Sequence, residues 1–326
     1  MLLVVGFFSC SQPSSKREHL EGLAQGTYYS ITYYDAKQRD LQVEVDSILD
    51  AFDQSVSVYQ LNSIVSKLNR NEEVQLDKWF IGNFELSQRV SAETNGSFDI
   101  TIAPIANIWG FGTFEKPDSV DSHLIDSLKT LVDYRKVKME DGKIIKENPA
   151  MQLNFNAVAQ GYSVDVLGKF FEEKGIHQYI IDVGGEILTG DKKPNGDLWK
   201  VGIEIPEEDS ENRFYNRVVV LQDEAVATSG NYRKFYVIDG VKYAHSLDPK
   251  TGYPVQHSLL SSTVIAPTAG EADAYATAFM VMGVEKTLEF VKNHPQIKVY
   301  LMFDEKGEVK IAMSDNFKSY LKKESE

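Results

Sequence analysis

The sequence predicts an α+β fold in which helices pack against mixed or antiparallel sheets. Segments with alternating apolar residues, typical of strands, are interspersed irregularly with segments whose apolar residues recur every three to four positions, typical of helices. A doubly wound parallel sheet would require strands and helices to alternate strictly, and they do not. The second half of the chain is richer in strands, but no change in composition separates the two halves.

The composition is that of a globular protein, with 42% hydrophobic and 25% charged residues among 326. The formal net charge of −14 argues against a nucleic-acid-binding surface, because phosphate binding requires clustered Lys and Arg side chains. We therefore expect no nucleic acid partner. A polyanionic ligand would need a metal ion or backbone N–H groups to offset its charge.

Residues 1–10 are predicted to be a lipoprotein signal peptide. Leu2–Phe8 is apolar, but it is far shorter than the about 20 residues that span a bilayer. Ser9-Cys10 follows, and this small residue before a cysteine resembles a bacterial lipobox, in which the thiol is lipidated. The alternative is a buried N-terminal strand with an inert Cys10, the single cysteine of the chain. Residues 11–21 are predicted to be a flexible tether and residues 22–326 the folded domain.

The helices and strands of this domain are predicted from periodicity and end signals. The predicted helices cover residues 41–52, 79–94, 157–174 and 271–293. The predicted strands cover residues 26–33, 179–183, 199–205, 217–221, 234–238 and 262–266, followed by a hairpin of residues 299–303 and 309–313. Gly175 is predicted to cap the third helix in a left-handed conformation.

Four segments carry more polar and glycine residues than folding requires. The first covers residues 96–104 and continues to 109–112. Asp99 could accept hydrogen bonds from a ribose or from the backbone, and Trp109 and Phe111 offer flat aromatic faces. The alternative is an Asp in a turn and a Trp in the core.

The second segment, residues 156–162, has small residues at the start of a helix. Free N–H groups there suit an anion, and Gly161 would allow a phosphate to approach the backbone. The alternative is a close contact between a helix and a sheet. In the third segment, residues 182–187, Gly184-Gly185 follows a buried strand, which indicates either a ligand-facing turn or a β-bulge.

The fourth segment is long and covers residues 227–232, 243–254 and 266–277. Asp273 and Thr277 are four positions apart, so both oxygens project from one face of the first turns of a helix. A carboxylate and a hydroxyl on one face suit Mg²⁺, which takes few protein oxygens. Helix capping is the alternative role for both residues.

In their order along the chain, these segments resemble the signatures of the ApbE family of flavin transferases, the FAD:protein FMN transferases. The similarity extends from about Gly26 to Met313, and the matching segments are Gly26–Ile31, Ser57–Tyr59, Gly96–Asp99, Trp109–Gly112, Ala157–Tyr162, Gly184–Glu186, Ala227–Gly230, His245–Pro254 and Glu271–Ala274. The resemblance implies a T-fold-like architecture and a Mg²⁺-dependent enzyme. It would attach the FMN half of its substrate FAD to a Thr or Ser of an acceptor flavoprotein through a phosphoester bond, with release of AMP.

Position by position, the resemblance implies that Asp273, Thr277 and the backbone carbonyl of Ala159 hold Mg²⁺. It implies an FAD site lined by Tyr59, Ser97, Phe98, Asp99, Asn156, Tyr162 and His245. The proton acceptor for the attacking hydroxyl would be His245 or Asp248, whichever lies within hydrogen-bond reach of that hydroxyl.

The sequence departs from the family pattern at three positions. Gln25 replaces a Met, Gln160 replaces a Lys, and Asn156 replaces a common Ser. The loss of the Lys removes a positive charge from the neighbourhood of the phosphates, so pyrophosphate binding is the property that this departure weakens most.

Two rival functions use the same site. One is an FAD pyrophosphatase, which transfers FMN to water, and the other is a lipoprotein that binds FAD without reacting. The resemblance implies an acceptor that is a membrane flavoprotein subunit of a sodium-pumping quinone reductase or a related electron-transport complex. The lipobox implies a protein of the bacterial cell envelope, lipid-anchored to a membrane and facing the periplasm or the exterior.

Overall fold

The computed structural model describes residues 15–111, 121–204, 215–231, 235–238, 241–244 and 246–322. The strands are β1 Lys16–Ala24, β2 Thr27–Asp35, β3 Val137–Glu140, β4 Lys143–Lys146, β5 Tyr179–Val183, β6 Glu186–Thr189, β7 Trp199–Glu204, β8 Tyr215–Leu221, β9 Ala225–Gly230, β10 Phe235–Ile238, β11 Val241–Ala244, β12 Leu259–Ala266, β13 Lys298–Glu305 and β14 Glu308–Met313. The α-helices are α1 Gln42–Val56, α2 Ile64–Asn69, α3 Lys78–Glu93, α4 Ala103–Ile108, α5 Ser122–Lys129, α6 Ala159–Glu173 and α7 Ala269–Lys292.

An eight-stranded sheet organises the chain, in the order β1-β2-β5-β6-β9-β12-β13-β14. Each neighbouring pair in this sheet is antiparallel. Successive side chains of a strand point to opposite faces, so the apolar run of β12 serves two cores. Val264 packs on the helical side and Ile265 on the opposite side. The sheet is therefore buried on both faces in its centre.

The larger core lies between this sheet and the helices. Apolar residues of α1, α3, α6 and α7 pack there against the inner face of the central strands. Helix α7 contacts both β9 and β12, and α6 packs beside α7. These contacts place the first turns of α6 and α7 side by side over the middle of the sheet.

The smaller core lies on the other face of the sheet. It is closed by the β7–β8 hairpin and by a 3₁₀ turn at Asp315–Tyr320, whose Phe317 ring contacts Tyr300 of β13. This second layer explains why the central strands carry apolar residues on both faces.

The structure confirms the predicted α+β class and the main elements. Each of the four predicted helices is present with its ends within four residues of the prediction, and Gly175 adopts a φ of +76° at the end of α6. Short helices such as α2, α4 and α5 were not predicted, because six to eight residues show too little periodicity. The predicted strand ends Ile205 and Lys234 lie outside the described residues.

The predicted flexible tether is wrong for residues 16–21. They form most of β1, which pairs along its whole length with β2. The strand lies at the sheet edge and buries only Leu20, so its sequence is polar and resembles a linker. The signal peptide with Cys10 and the first residues of the tether lie outside the described residues. No helix in the described part of the chain is long and apolar enough to cross a membrane.

Candidate functional site

A cavity of about 800 Å³ opens between the start of α6, the first turns of α7, the β5–β6 turn and the loops around α4. Most of the predicted site residues line it: Tyr59, Ser97, Phe98, Asp99, Asn156, Asp273 and Thr277. They come from positions up to 218 residues apart in sequence. The structure therefore brings together the segments that the sequence singled out.

The wall that carries Asp273 belongs to α7. Asp273 and Thr277 project from one face of this helix into the cavity, as their spacing predicts. The Oδ2 atom of Asp273 accepts a hydrogen bond from the backbone N–H of Gly161 at 3.1 Å, and the Thr277 hydroxyl lies 3.2 Å from the Ser229 hydroxyl. Capping of their own helix does not explain them, because Thr268 is the residue that caps α7.

A second carboxylate faces the same cavity, and sequence reasoning did not assign it. Glu186 follows the Gly184-Gly185 pair and accepts a hydrogen bond from the Gln160 side-chain amide. Burial and the nearby Asp273 carboxylate raise the pKa of Glu186 well above its ordinary value. Burial raises the pKa of Asp273 to about 7, although the Gly161 N–H bond opposes this shift. Two acidic groups therefore share one low-dielectric wall.

The feature of the sequence that pointed to Glu186 was its place in the third segment. The sequence allowed this segment to be either a ligand-facing turn or a β-bulge. The structure shows a two-residue turn between β5 and β6, with φ values of +60° at Gly184 and +108° at Gly185. The Asp182 side chain accepts from the Gly185 N–H at 2.8 Å and fixes the turn. The β-bulge interpretation is wrong, because no extra residue interrupts the β5–β6 ladder.

Asp99 also lines the cavity, and donors within the protein bond both of its carboxylate oxygens. It accepts from the Thr101 N–H at 2.8 Å, the Thr101 hydroxyl at 2.6 Å and the Tyr134 N–H at 2.8 Å. Of the two roles that the sequence left open, the structure shows the backbone one. Burial nevertheless raises the pKa of Asp99. Trp109 is buried and donates its indole N–H to the Gly252 carbonyl, while Phe111 lines the cavity.

The cavity mouth is formed by Tyr59 and Asn156. The Asn156 amide donates to the Tyr59 hydroxyl at 3.0 Å, and the Tyr59 side chain is 61% exposed. An aromatic ring so exposed beside a cavity can stack on a flat ligand without first breaking core contacts.

Two predicted residues, Tyr162 and Asp248, are not among those that line the cavity. The Tyr162 ring stacks on Phe52 at 6.3 Å and its hydroxyl end packs against Gly82, away from the cavity. Gln160 faces the cavity, and a residue two positions later on a helix is rotated by about 200° to the other side. The carboxylate of Asp248 accepts from the Lys250 N–H within its own turn and does not line the cavity. Neither side chain lines the cavity, and the roles of Tyr162 in the FAD site and of Asp248 as proton acceptor stay predictions.

The anion-binding interpretation of Gly161 is also wrong. Its N–H group is already donated to Asp273, and a Cβ at this position would lie 2.3 Å from the Ala269 carbonyl oxygen. The glycine is needed for a close contact, as the alternative held, but the partner is a helix rather than a sheet. Ala159 begins α6 and does not line the cavity, so its carbonyl remains a prediction.

His245 and Gly112 lie outside the described residues, and the role of His245 remains a prediction. Among the described residues, no group of three or more His, Cys, Asp or Glu side chains is arranged to hold a metal ion. A cation here would therefore be held by one or two carboxylates together with hydroxyl or carbonyl oxygens. That set matches Mg²⁺, which keeps water and substrate phosphates as its other ligands.

Comparisons with known proteins agree with this fold. A sequence model of the ApbE family matches residues 25–301. An FAD:protein FMN transferase of Escherichia coli K12 is 35% identical over 335 aligned positions, covering 97% of this chain and 94% of that protein. The structure of the flavin transferase ApbE from Vibrio cholerae superposes with a TM-score of 0.85 at 30% identity, covering 94% of this chain and all of the other. The apo form of Pseudomonas stutzeri flavinyl transferase ApbE gives a TM-score of 0.83 at 28% identity, with 94% and 97% coverage.

Proposed function

The chain belongs to the ApbE family, and from this membership we infer that it is an FAD:protein FMN transferase. It takes FAD as substrate and moves the FMN half to another protein, so its partner is a flavoprotein acceptor. We further propose that the reaction requires Mg²⁺ and that the acceptor group is a Thr or Ser hydroxyl. The observation that carries the proposal is the pair Asp273 and Thr277, which share one face of α7 at the wall of the large cavity.

The donor set supports a magnesium ion. Asp273 is 6% exposed, and among the described residues neither it nor Glu186 forms an ion pair with a Lys or Arg. A buried carboxylate without a positive partner is costly unless a cation compensates it. Asp273 and Thr277 would hold the ion, with the Ala159 carbonyl as the third predicted ligand. When bound, Mg²⁺ would offset negative charge on the pyrophosphate as AMP leaves.

The residues of the chain supply position and orientation. Tyr59 and Phe111 offer flat faces at the cavity wall for the flavin or adenine ring, and Asn156 orients the Tyr59 hydroxyl. In the reaction, the acceptor hydroxyl oxygen bonds to the FMN-side phosphorus, the bond from that phosphorus to the bridging oxygen breaks, and AMP departs with that oxygen. The hydroxyl proton must pass to a base, for which His245 is our sequence-based candidate.

Incubation of the protein with FAD, Mg²⁺ and an acceptor tests the transferase. We expect flavin fluorescence to stay with the acceptor on a denaturing gel, which shows covalent attachment, and AMP to be released in equal amount. Chelation of Mg²⁺ should abolish both the labelling and the release of AMP. Release of FMN and AMP without labelled protein would establish the pyrophosphatase instead. Unchanged FAD after prolonged incubation would establish a protein that binds FAD without reacting.

We also propose that the acceptor is a membrane flavoprotein subunit of a sodium-pumping quinone reductase or a related electron-transport complex. The chain's own Asp141-Gly142 and Asp239-Gly240 are not followed by a hydroxyl residue at the second position, so self-labelling at an Asp-Gly-x-Thr/Ser site is not expected. Co-expression with such a subunit, followed by in-gel flavin fluorescence, tests the choice. An unlabelled subunit beside an active enzyme would exclude that acceptor.

The proposed location is the bacterial cell envelope, with the protein lipid-anchored to a membrane and facing the periplasm or the exterior. The support is the sequence around Cys10. Stable anchoring requires more than one acyl chain, and a mature lipoprotein carries several. Cys10→Ser should therefore release the protein from the membrane fraction while transfer to a soluble acceptor continues. Retention of the variant in the membrane would contradict the anchor.

A further inference from the structure

Two carboxylates, one on each helix, join the first turns of α6 and α7. Asp165 of α6 accepts hydrogen bonds from the N–H groups of Ala269 at 2.7 Å and Gly270 at 2.8 Å, the first two residues of α7. Asp273 of α7 accepts from the N–H group of Gly161, in the first turn of α6. Each helix thus supplies an acceptor for the start of the other. We call these five residues the reciprocal clamp.

The clamp satisfies backbone groups that a helix cannot satisfy itself. The first N–H groups of a helix have no acceptor within it, and a negative charge placed beside them is favourable. Val158, the N-cap residue of α6, forms no side-chain capping bond. Thr268 caps α7 conventionally by accepting from the Glu271 N–H at 3.3 Å. Asp165 is therefore a second acceptor at the start of α7, and the one that ties this helix to α6.

Close packing makes the clamp sensitive to displacement. A Cβ at Gly161 would lie 2.3 Å from the Ala269 carbonyl oxygen, and one at Gly270 would lie 3.2 Å from the Asp165 Oδ2 atom. The two backbones touch where the carboxylates bond. Because the backbones are in contact, a change in the Asp165 bonds shifts the position of α7 relative to α6.

We propose that Asp165 is a positioning residue for the magnesium site, because it fixes the turn of α7 from which Asp273 and Thr277 project. The inference rests on the proposed function, since it requires these two residues to be ligands. The Gly161 N–H fixes the orientation of the Asp273 carboxylate, so a shift of α7 moves both ligand oxygens relative to the start of α6. Asp165 itself does not line the cavity.

The test compares Asp165→Asn with two controls by titrating Mg²⁺ alone into each protein in a calorimeter. Asn retains one acceptor oxygen, so it weakens the clamp without emptying the space. Thr268→Ala removes a cap from the same helix, and the side-chain bond that it breaks lies within α7 rather than between α7 and α6. Glu173→Gln removes an exposed carboxylate from the other end of α6. The thermal midpoint of each variant is measured with and without Mg²⁺.

We expect Asp165→Asn to raise the Mg²⁺ dissociation constant about 10–100-fold, the usual effect of losing a partner that orients a ligand. Thr268→Ala should lower the thermal midpoint yet keep the parent's Mg²⁺ affinity, and Glu173→Gln should change neither. If Asp165→Asn does not fold, Asp165→Glu keeps the charge but displaces it by one methylene, and the same loss of affinity is expected.

Three outcomes would overturn the proposal. Equal Mg²⁺ affinity in the parent and in the folded Asp165 variant would overturn the positioning role and leave the transferase intact. An equal loss of affinity in Thr268→Ala would reduce Asp165 to a helix cap. A parent that binds no Mg²⁺ would overturn the metal site itself, and with it the positioning role. FMN transfer that continues when Mg²⁺ is chelated would show the same result independently.

Discussion

Asp99 and Asp273 both line one cavity, yet their carboxylates are engaged differently. Their exposures are nearly equal, 7% and 6%, and burial raises the pKa of both carboxyl groups. Asp99 accepts three hydrogen bonds, from the Thr101 N–H, the Thr101 hydroxyl and the Tyr134 N–H. Within the described part of the chain, Asp273 accepts one, from Gly161, and shares its wall with Glu186.

The difference shows how two buried aspartates on one cavity can serve different ends. The protein's own donors engage both oxygens of Asp99, so this carboxylate holds the segment between α5 and β3 to the cavity wall. The Asp273 bond fixes only Oδ2, and Oδ1 is the atom that we assign to a cation. A negative charge that faces a cavity without a positive partner among the described residues, rather than burial alone, makes Asp273 the better candidate for a functional carboxylate.

Asp273→Asn should have the largest effect and is the strongest test of this contrast. Asn can still accept from Gly161, so the fold should survive, but the charge for the cation is lost. We expect FMN transfer to fall by more than about 100-fold, since even partners that only orient a metal ligand cost 10–100-fold. The rate across a Mg²⁺ titration and the thermal midpoint measure the two effects. A fully active variant with the parent's Mg²⁺ requirement would remove Asp273 from the metal site.

Asp99→Asn, the same substitution at the other buried aspartate of the cavity, should act on stability instead. One oxygen of Asn can serve Thr101, but its NH₂ group then faces the Tyr134 N–H and leaves a buried donor unpaired. We expect a loss of about 1–3 kcal/mol in the free energy of unfolding. Urea denaturation measures this loss, and the Mg²⁺ requirement of transfer should match the parent's. If Asp99→Asn shifted the Mg²⁺ requirement but kept the stability of the parent, Asp99 rather than the loop that it holds would belong to the metal site.

The sequence predicted much of this arrangement, for physical reasons that can be named. Helical spacing placed Asp273 and Thr277 on one face, and periodicity located α7 and β12, because long amphipathic or fully buried segments carry a strong local signal. The sequence alone could not distinguish Asp99 from Asp273, because the difference depends on donors that are distant in sequence. Tyr134 donates to Asp99, and Gly161, which lies 112 positions from Asp273, donates to Asp273.

What the sequence did not foresee has one origin. Tyr162 was assigned by its place in a motif, whereas the direction of its side chain depends on how α6 rotates against α1 and α3. Glu186 was quoted in a motif but given no role, because its closeness to Asp273 arises only when the β5–β6 turn folds beneath α7. Contacts between segments distant in sequence decide which polar residues meet, and a single sequence does not contain them.

Thr277→Val should reduce FMN transfer less than Asp273→Asn does, and it tests the second proposed ligand on the same face of α7. The substitution keeps the shape but removes a neutral hydroxyl, which water can partly replace as a ligand, and it breaks the contact with Ser229. We expect a loss of about 0.5–1.5 kcal/mol in transition-state stabilisation, the usual net value of one hydrogen bond. Transfer rates at limiting and saturating Mg²⁺ measure it, with Ser229→Ala as the control that breaks the contact but keeps the Thr277 hydroxyl. Equal losses in both variants would mean that the contact matters and the ligand role does not.

Gln160→Lys should have the smallest effect, and it tests whether a positive charge on this wall reaches the substrate. The Gln160 amide donates to the Val183 carbonyl at 2.8 Å and to Glu186. A Lys here would lie beside Glu186, so its ammonium would be shared between that carboxylate and a phosphate.

We therefore expect Gln160→Lys to tighten FAD binding by no more than about 1 kcal/mol, below the 1.5–3 kcal/mol of an undivided bond to a charged group. Gln160→Met, similar in length but without charge or donor, is the control for the lost Val183 bond. FAD affinity is measured by fluorescence without Mg²⁺, so that binding is separated from reaction. A gain of more than about tenfold, or 1.4 kcal/mol, would mean that the ammonium leaves Glu186 for the phosphates. Glu186 would then remain unneutralised, and it would join Asp273 as a site for the cation rather than act as a partner of residue 160.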